Sequence, residues 1–233
     1  MLRVLAFDVF GTVVDWRSGV VAVGARLATR HGFRIDWPAF ADAWRDGYHP
    51  SLEGVRRGEL PWTKLDLLHR MTLNTLIPRF GLDSLSEPER DELNRAWHHL
   101  PPWPDAIEVL TRLRRRFVIT TLSNGNVSLL TEMAKASGLP WDCILSAELV
   151  QHYKPDREAY LQVPNFLDVT PDQVLMVAAH PTDLEAARQA GLRTGYVHRP
   201  LEFGHRTPAL PVPVGPFDYV ARDFIDLAGQ LGA

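Results

Sequence analysis

Cysteine is almost missing from the 233-residue sequence, where Cys143 stands alone. A single thiol excludes an internal disulfide framework and a cysteine-rich metal site. It lies in the strand-like run 141–146 and is read as a small buried hydrophobe. Lysine is scarce as well: of 25 basic residues only three, Lys64, Lys135 and Lys154, are lysines. No apolar run is long enough to span a membrane. Excess charge is lacking too, since the net charge is −3, and neither nucleic acid nor an anionic membrane is expected as a partner. The basic cluster at Arg112, Arg114, Arg115 and Arg116 is read as the solvated end of a helix. The N-terminus enters a core strand without a charged lead or a cleavage site, so the expected location is the cytoplasm.

What is present is an ordinary globular composition, 45% hydrophobic and 23% charged, with length enough for one large domain or a core with an insertion. Strand-like runs occur at 3–8, 117–122, 143–146, 174–179 and 194–197. Helical patterns at 104–115, 128–138 and 183–191 alternate with them, which predicts an α/β domain with a parallel sheet. Residues 14–100 break the alternation. They hold no convincing strand and read as helices at 20–31, 38–48, 63–80 and 88–99. Pro101-Pro102-Trp103-Pro104 then marks a boundary. The expected organisation is a core of 1–13 and 101–233 with a helical cap of 14–100 inserted after the first strand, able to act as a lid. The Pro-rich stretch 206–216 is read as a surface loop.

Four motifs carry polar chemistry, three of them at strand ends. The first is Asp8-Val9-Phe10-Gly11-Thr12. A carboxylate at the carboxyl end of a buried strand stands where α/β sheets bind ligands, fixed and facing a crevice as a nucleophile requires; alone, it is equally an ordinary turn Asp. The second is Ser123-Asn124-Gly125, a hydroxyl and an amide at the same sheet edge, or simply a polar turn. The third is Lys154-Pro155-Asp156, followed by Tyr160. A lysine here could keep Asp8 ionised by charge pairing, though most loop lysines face solvent. The fourth is Ala178-Ala179-His180-Pro181-Thr182-Asp183, in which Asp183 also suits a helix N-cap.

In order and spacing these motifs resemble the haloacid dehalogenase superfamily across essentially the whole chain. Most superfamily phosphatases read Asp-x-Asp-x-Thr in the first motif, whereas this chain has Phe10 in place of the second Asp. An aromatic residue there resembles the L-2-haloacid dehalogenases, also called type II. The resemblance implies a Rossmann-like parallel sheet core with a helical cap. It matches Trp44-Arg45 to the cap arginine after a tryptophan, Ser123 and Asn124 to the substrate-binding pair, Lys154 and Tyr160 to the active-site lysine and tyrosine, and Asp183 to the last acidic residue. Ala178 and His180 depart from the serine and asparagine of the best-known members, a pattern associated with a subgroup of which some act on fluoroacetate.

The reaction so implied is metal-free and cofactor-free hydrolysis of a short 2-haloacid. Asp8 attacks the halogen-bearing carbon to form an ester, and water activated near Asp183 hydrolyses it. Lys154 balances charge, Arg45 and Asn124 cradle the halide, and Thr12 and Ser123 orient carboxylates. Phe10 and Trp44 keep the site dry. His180 is expected to position or deprotonate the hydrolytic water. The phosphatase reading is disfavoured because Ala179 replaces the usual metal carboxylate and Phe10 the usual acid. A halide is a weak base and needs no proton to leave. Hydrolysis at another saturated carbon, such as strained-ring opening, is the alternative, and a non-catalytic binding protein the other class. The partner is a small halogenated carboxylic acid, with homodimerisation left open.

Overall fold

A computed structural model describes residues 1–204 and 215–233. The stretch read as a surface loop, 206–216, therefore lies outside the described residues except for its last two positions.

The strands follow from apolar continuity. Every residue of β1 (Val4–Phe7) and of β4 (Val174–Ala178) is buried, as suits strands covered by helices on both faces. With β2 (Val118–Ser123), β3 (Cys143–Ser146), β5 (Arg193–Val197) and β6 (Tyr219–Ala221) they form one sheet in the order β3-β2-β1-β4-β5-β6. Every adjacent pair is parallel. The expected Rossmann-like α/β core is therefore present, with β6 in addition to the five strands read from sequence. Cys143, expected to be buried, is only partly so, because it opens the edge strand β3.

β1 is central, with Ala6 in register with Thr120 on one side and Met176 on the other. The chain runs outward from β1 through β2 to β3, then returns to place β4 on the opposite flank of β1. That reversal opens a crevice at the carboxyl ends of β1 and β4, the usual ligand position in such sheets.

Between β1 and β2 lie α1 (Trp16–His31), α2 (Trp37–Asp46), α3 (Tyr48–Arg56), α4 (Leu65–Arg79) and α5 (Glu87–Asn94), then a short 3-10 turn, Arg95–His98. The Asp15 side chain caps α1 by accepting from the Ser18 N–H at 2.9 Å, and Gly32 ends it with φ 73°. At Gly24 α1 meets α2 so closely that a Cβ would lie 2.1 Å from the Trp37 ring. The helix expected at 38–48 stops at Asp46, and α3 begins after Gly47. Val14 bridges both Phe10 and Pro102 where the helical segment leaves and rejoins the sheet.

The remaining helices are α6 (Ala106–Leu113), α7 (Val127–Ser137), α8 (Ala147–Val150), α9 (Arg157–Phe166), α10 (Pro181–Gln189) and α11 (Phe224–Gln230). Pro181 starts α10 early, as proline does in a first turn, so His180 takes the N-cap position. Asp183, which by residue type also suits an N-cap, lies in the first turn.

Fully buried tryptophans join the helical segment to the end of β1. Trp97 packs edge-on against Phe10 at 5.9 Å and against Trp44 at 5.5 Å between ring centroids. Such pairs add about 1 kcal/mol each beyond their burial, so Phe10 is held by the helices as well as by the strand. Among the described residues no helix is long and apolar enough to cross a membrane.

Candidate active site

The Asp8 N–H donates to the Val177 carbonyl at 2.9 Å, so pairing with β4 continues one step past β1 and fixes the backbone beneath the carboxylate. Gly11 then turns with φ 83°, and the chain folds back far enough for the Thr12 hydroxyl to donate to Asp8 Oδ2 at 2.7 Å. Thr12 Oγ1 also accepts from the Ala179 N–H at 2.9 Å, which ties the end of β4 to the same oxygen.

Lys154 reaches this point from the loop after α8. Its Nζ donates to Asp8 Oδ1 at 2.9 Å and to Asp183 Oδ2 at 2.6 Å, and the Tyr160 hydroxyl donates to Asp183 Oδ1 at 2.6 Å. The Lys154 N–H donates to Asn124 Oδ1 at 2.8 Å, and Asn124 Nδ2 to the Tyr48 hydroxyl at 3.0 Å. Asn124 thus couples the lysine loop to the helical segment.

The charges set one another. Burial alone would raise the pKa of Asp8, but Lys154 and His180 outweigh it and hold the carboxyl well below the usual range. Burial raises Asp183, and the Asp8 carboxylate adds to that against the pull of Lys154. For Lys154 burial favours the neutral amine, yet Asp183 and Asp8 prevail and raise its pKa. Desolvation and the neighbouring Asp183 raise Tyr160, which stays a hydrogen-bond donor.

His180 faces a carboxylate on each side: Nδ1 is 3.1 Å from Asp8 Oδ2, and Nε2 is 3.0 Å from Glu202 Oε1. Burial lowers its pKa, but Glu202 and Asp8 push it up to about 10. This redirects the expectation that His180 deprotonates water. A ring with both nitrogens facing carboxylates has no free lone pair to accept a proton.

These residues open onto a cavity of about 340 Å³. Of the residues expected from sequence, Asp8, Lys154, His180 and Asp183 line it. Phe10, Arg45, Asn124 and Tyr160 line it too. Thr12 and Ser123 do not. Thr12 is spent on Asp8 and Ala179, and the Ser123 hydroxyl accepts from the Gly125 N–H at 3.1 Å inside the turn. The Ser123 side chain is buried and shapes the loop that carries Asn124. Arg45 lies over the Tyr48 ring, 4.3 Å from its centroid, and its Nη1 is buried without a partner among the described residues. A guanidinium at the wall of a cavity suits an anion.

Sequence reasoning missed Tyr48, His49, Leu52 and Glu53, all lining the cavity from α3. Their only signal was that they follow Trp44-Arg45. It also missed Glu202, whose surroundings carry no motif.

The family model described as "haloacid dehalogenase-like hydrolase" matches residues 2–191. The (S)-2-haloacid dehalogenase 4A of Burkholderia cepacia is 31% identical over 209 residues, covering 85% of this chain and 84% of that one. The crystal structure of the defluorinating L-2-haloacid dehalogenase Rha0230 superposes with a TM-score of 0.96 at 43% identity, over 100% of this chain and 96% of that one. The L-2-haloacid dehalogenase PA0810 is similar at 40% identity and a TM-score of 0.95, with 100% and 99% covered.

Proposed function

This chain belongs to the haloacid dehalogenase-like hydrolases, on their L-2-haloacid dehalogenase branch, and from that premise we propose that it hydrolyses the carbon–halogen bond of short (S)-2-haloacids through an ester on Asp8. The observation that carries this reading is one cavity lined both by an ionised, lysine-paired Asp8 and by Arg45, a cation whose Nη1 has no partner among the described residues. The first supplies a nucleophile, the second a place for an anion.

In the first step an Asp8 oxygen bonds to the substrate's C2, and halide departs with the electron pair of the C–X bond. Arg45 and Asn124 receive the halide, which needs no proton. Water then adds to the Asp8 carboxyl carbon and gives its proton to Asp183, a carboxylate whose raised pKa suits it to accept one. Phe10 and the tryptophans behind it exclude bulk water and so strengthen every charge interaction inside.

The reaction is metal-free. Ala179 offers no oxygen ligand where a Mg²⁺ site needs a carboxylate, and Phe10 removes a general acid that halide does not require. Residues 14–100 act as the cap, and the enzyme works in the cytoplasm on a small haloacid, with neither nucleic acid nor membrane as partner. The substrates include fluoroacetate, a reading supported by likeness to a defluorinating relative. The test is halide release from (S)-2-chloropropionate and fluoroacetate with and without EDTA. Release unaffected by chelation is expected. Mg²⁺-dependent hydrolysis of p-nitrophenyl phosphate in its place would overturn the reading.

A further inference from the structure

Glu202 is 4% exposed and follows β5. It accepts from Trp16 Nε1 at 3.2 Å and lies 3.0 Å from His180 Nε2, while His180 Nδ1 lies 3.1 Å from Asp8 Oδ2. A neutral imidazole carries one N–H and could serve only one of these carboxylates; the imidazolium serves both. The ionisable groups around His180 are Asp8 at the end of β1, Glu202 after β5, and His49 on α3, whose own pKa is lowered by burial, Arg45 and His180.

The two oxygens of Asp8 are not equivalent. Among the described residues Oδ1 accepts only from Lys154, whereas Oδ2 accepts from the Thr12 hydroxyl and from His180 Nδ1. The less encumbered Oδ1 is the attacking atom. After attack Oδ2 is the carbonyl oxygen of the ester, already in contact with a hydroxyl and a cationic N–H. Donors placed in advance where negative charge will develop are the most effective electrostatic device available to a site.

We propose that Glu202 is a positioning residue for ester hydrolysis, holding His180 so that its Nδ1–H and the Thr12 hydroxyl together stabilise the oxyanion formed on Asp8 Oδ2. The inference rests on the dehalogenase reading. Water oxygen bonds to the carboxyl carbon of Asp8, the C=O π pair moves to Oδ2, and the water proton goes to Asp183. The pair then returns and the bond from that carbon to Oδ1 breaks. Oδ1 leaves on the substrate as the product hydroxyl, taking a proton from Lys154, which regains one from Asp183; the second water proton, left on the new oxygen of Asp8, passes to solvent and restores the carboxylate. His180 keeps its protons throughout.

The test compares wild type with Glu202→Gln, which keeps the volume and an acceptor for Trp16 but not the charge. His180 is followed by NMR of labelled histidine against pH, and (S)-2-chloropropionate turnover by the halide burst, the steady state and the intact-protein mass. In wild type His180 stays charged at about pH 8. In Glu202→Gln it should titrate about one pH unit lower or more. The burst should persist while the steady state falls by about 10²-fold and ester mass accumulates on Asp8. In a His180→Asn background, Glu202→Gln should cost nothing further, because it acts through the imidazole. Glu202→Asp, which keeps the charge, should lose less turnover than Glu202→Gln. If Glu202→Gln fails to fold, Glu202→Asp and His180→Asn still decide the matter: both must slow the steady state more than the burst. Equal slowing of burst and steady state, unchanged turnover, or a neutral His180 in wild type at about pH 8 would overturn the proposal. A wild type that releases no halide while His180 remains charged would sink the dehalogenase reading instead, leaving the Glu202–His180 link intact.

Discussion

Lys154 Nζ stands 2.9 Å from Asp8 Oδ1, and that contact lets a carboxylate only 7% exposed remain ionised. The same ammonium holds Asp183 at 2.6 Å, so one cation serves both carboxylates to which the proposed mechanism gives a role. Replacing it with Lys154→Met leaves two buried acids sharing the cavity without their cation. Stability should fall by about 3–5 kcal/mol, the usual result of removing one partner from a buried pair. Turnover should fall by several orders of magnitude. Thermal denaturation and a halide assay measure the two losses, and activity within about tenfold of wild type (about 1.4 kcal/mol) would remove Lys154 from the mechanism.

Asp8→Asn should fold and be inactive, because an amide is a far poorer nucleophile than a carboxylate. In single-turnover hydrolysis by wild type in ¹⁸O-water, the label should enter Asp8 and not the first product molecule. Peptide mass spectrometry reads the site of the label. Label found first in product would mean that water attacks the substrate directly.

Gly11 turns the chain between Asp8 and Thr12 with φ 83°, and a Cβ there would lie 2.2 Å from Glu202 Oε1. Gly11→Ala therefore adds backbone strain of about 1 kcal/mol or more to a direct clash with the carboxylate behind His180. Lower thermal stability and a slower steady state are expected. A variant matching wild type in both would show that Glu202 can move without consequence.

His69 is 3% exposed, both its ring nitrogens are unpartnered among the described residues, and it stacks on Trp97 at 4.3 Å. Burial holds its pKa at about 3, against an ordinary 6.5. A folded-state pKa below the unfolded one means that the unfolded chain binds the proton first. Stability is therefore whole above about pH 6.5 and drains away as pH falls towards 3, at up to about 1.4 kcal/mol per pH unit. His69→Phe should flatten the fall of denaturation midpoint across that window relative to wild type. Parallel curves for the two proteins would show that His69 is not the titrating group.

Continuous apolar runs such as Val4–Phe7 and Val174–Ala178 announced their strands, and the polar residues closing them announced the site. Asp8, Asn124 and Asp183 were legible because each sits a short step beyond such a run, and Lys154 because Lys-Pro-Asp resembles a family motif. β6 is three residues long, too short for periodicity to register. α3 was hidden because the pattern of α2 runs on through Gly47 without a strong breaker. Spacing places Ser123 at the sheet edge but does not say which way its hydroxyl turns, and in the fold that oxygen accepts from the Gly125 N–H. Glu202 was invisible for a deeper reason. Its partners are Trp16 and His180, and only the folded chain brings a carboxylate after the fifth strand beneath the end of the first.

That long-range closure has a consequence for synthesis. Asp8 is translated well before Lys154 and His180, and Glu202 after both. While the chain is still emerging from the ribosome, Asp8 is a lone acid beside apolar residues, with none of its compensating charges yet made. Reactivity can arise only when β4 has docked on β1 and β5 on β4, so a product stalled before β5 carries Asp8 but not the completed site.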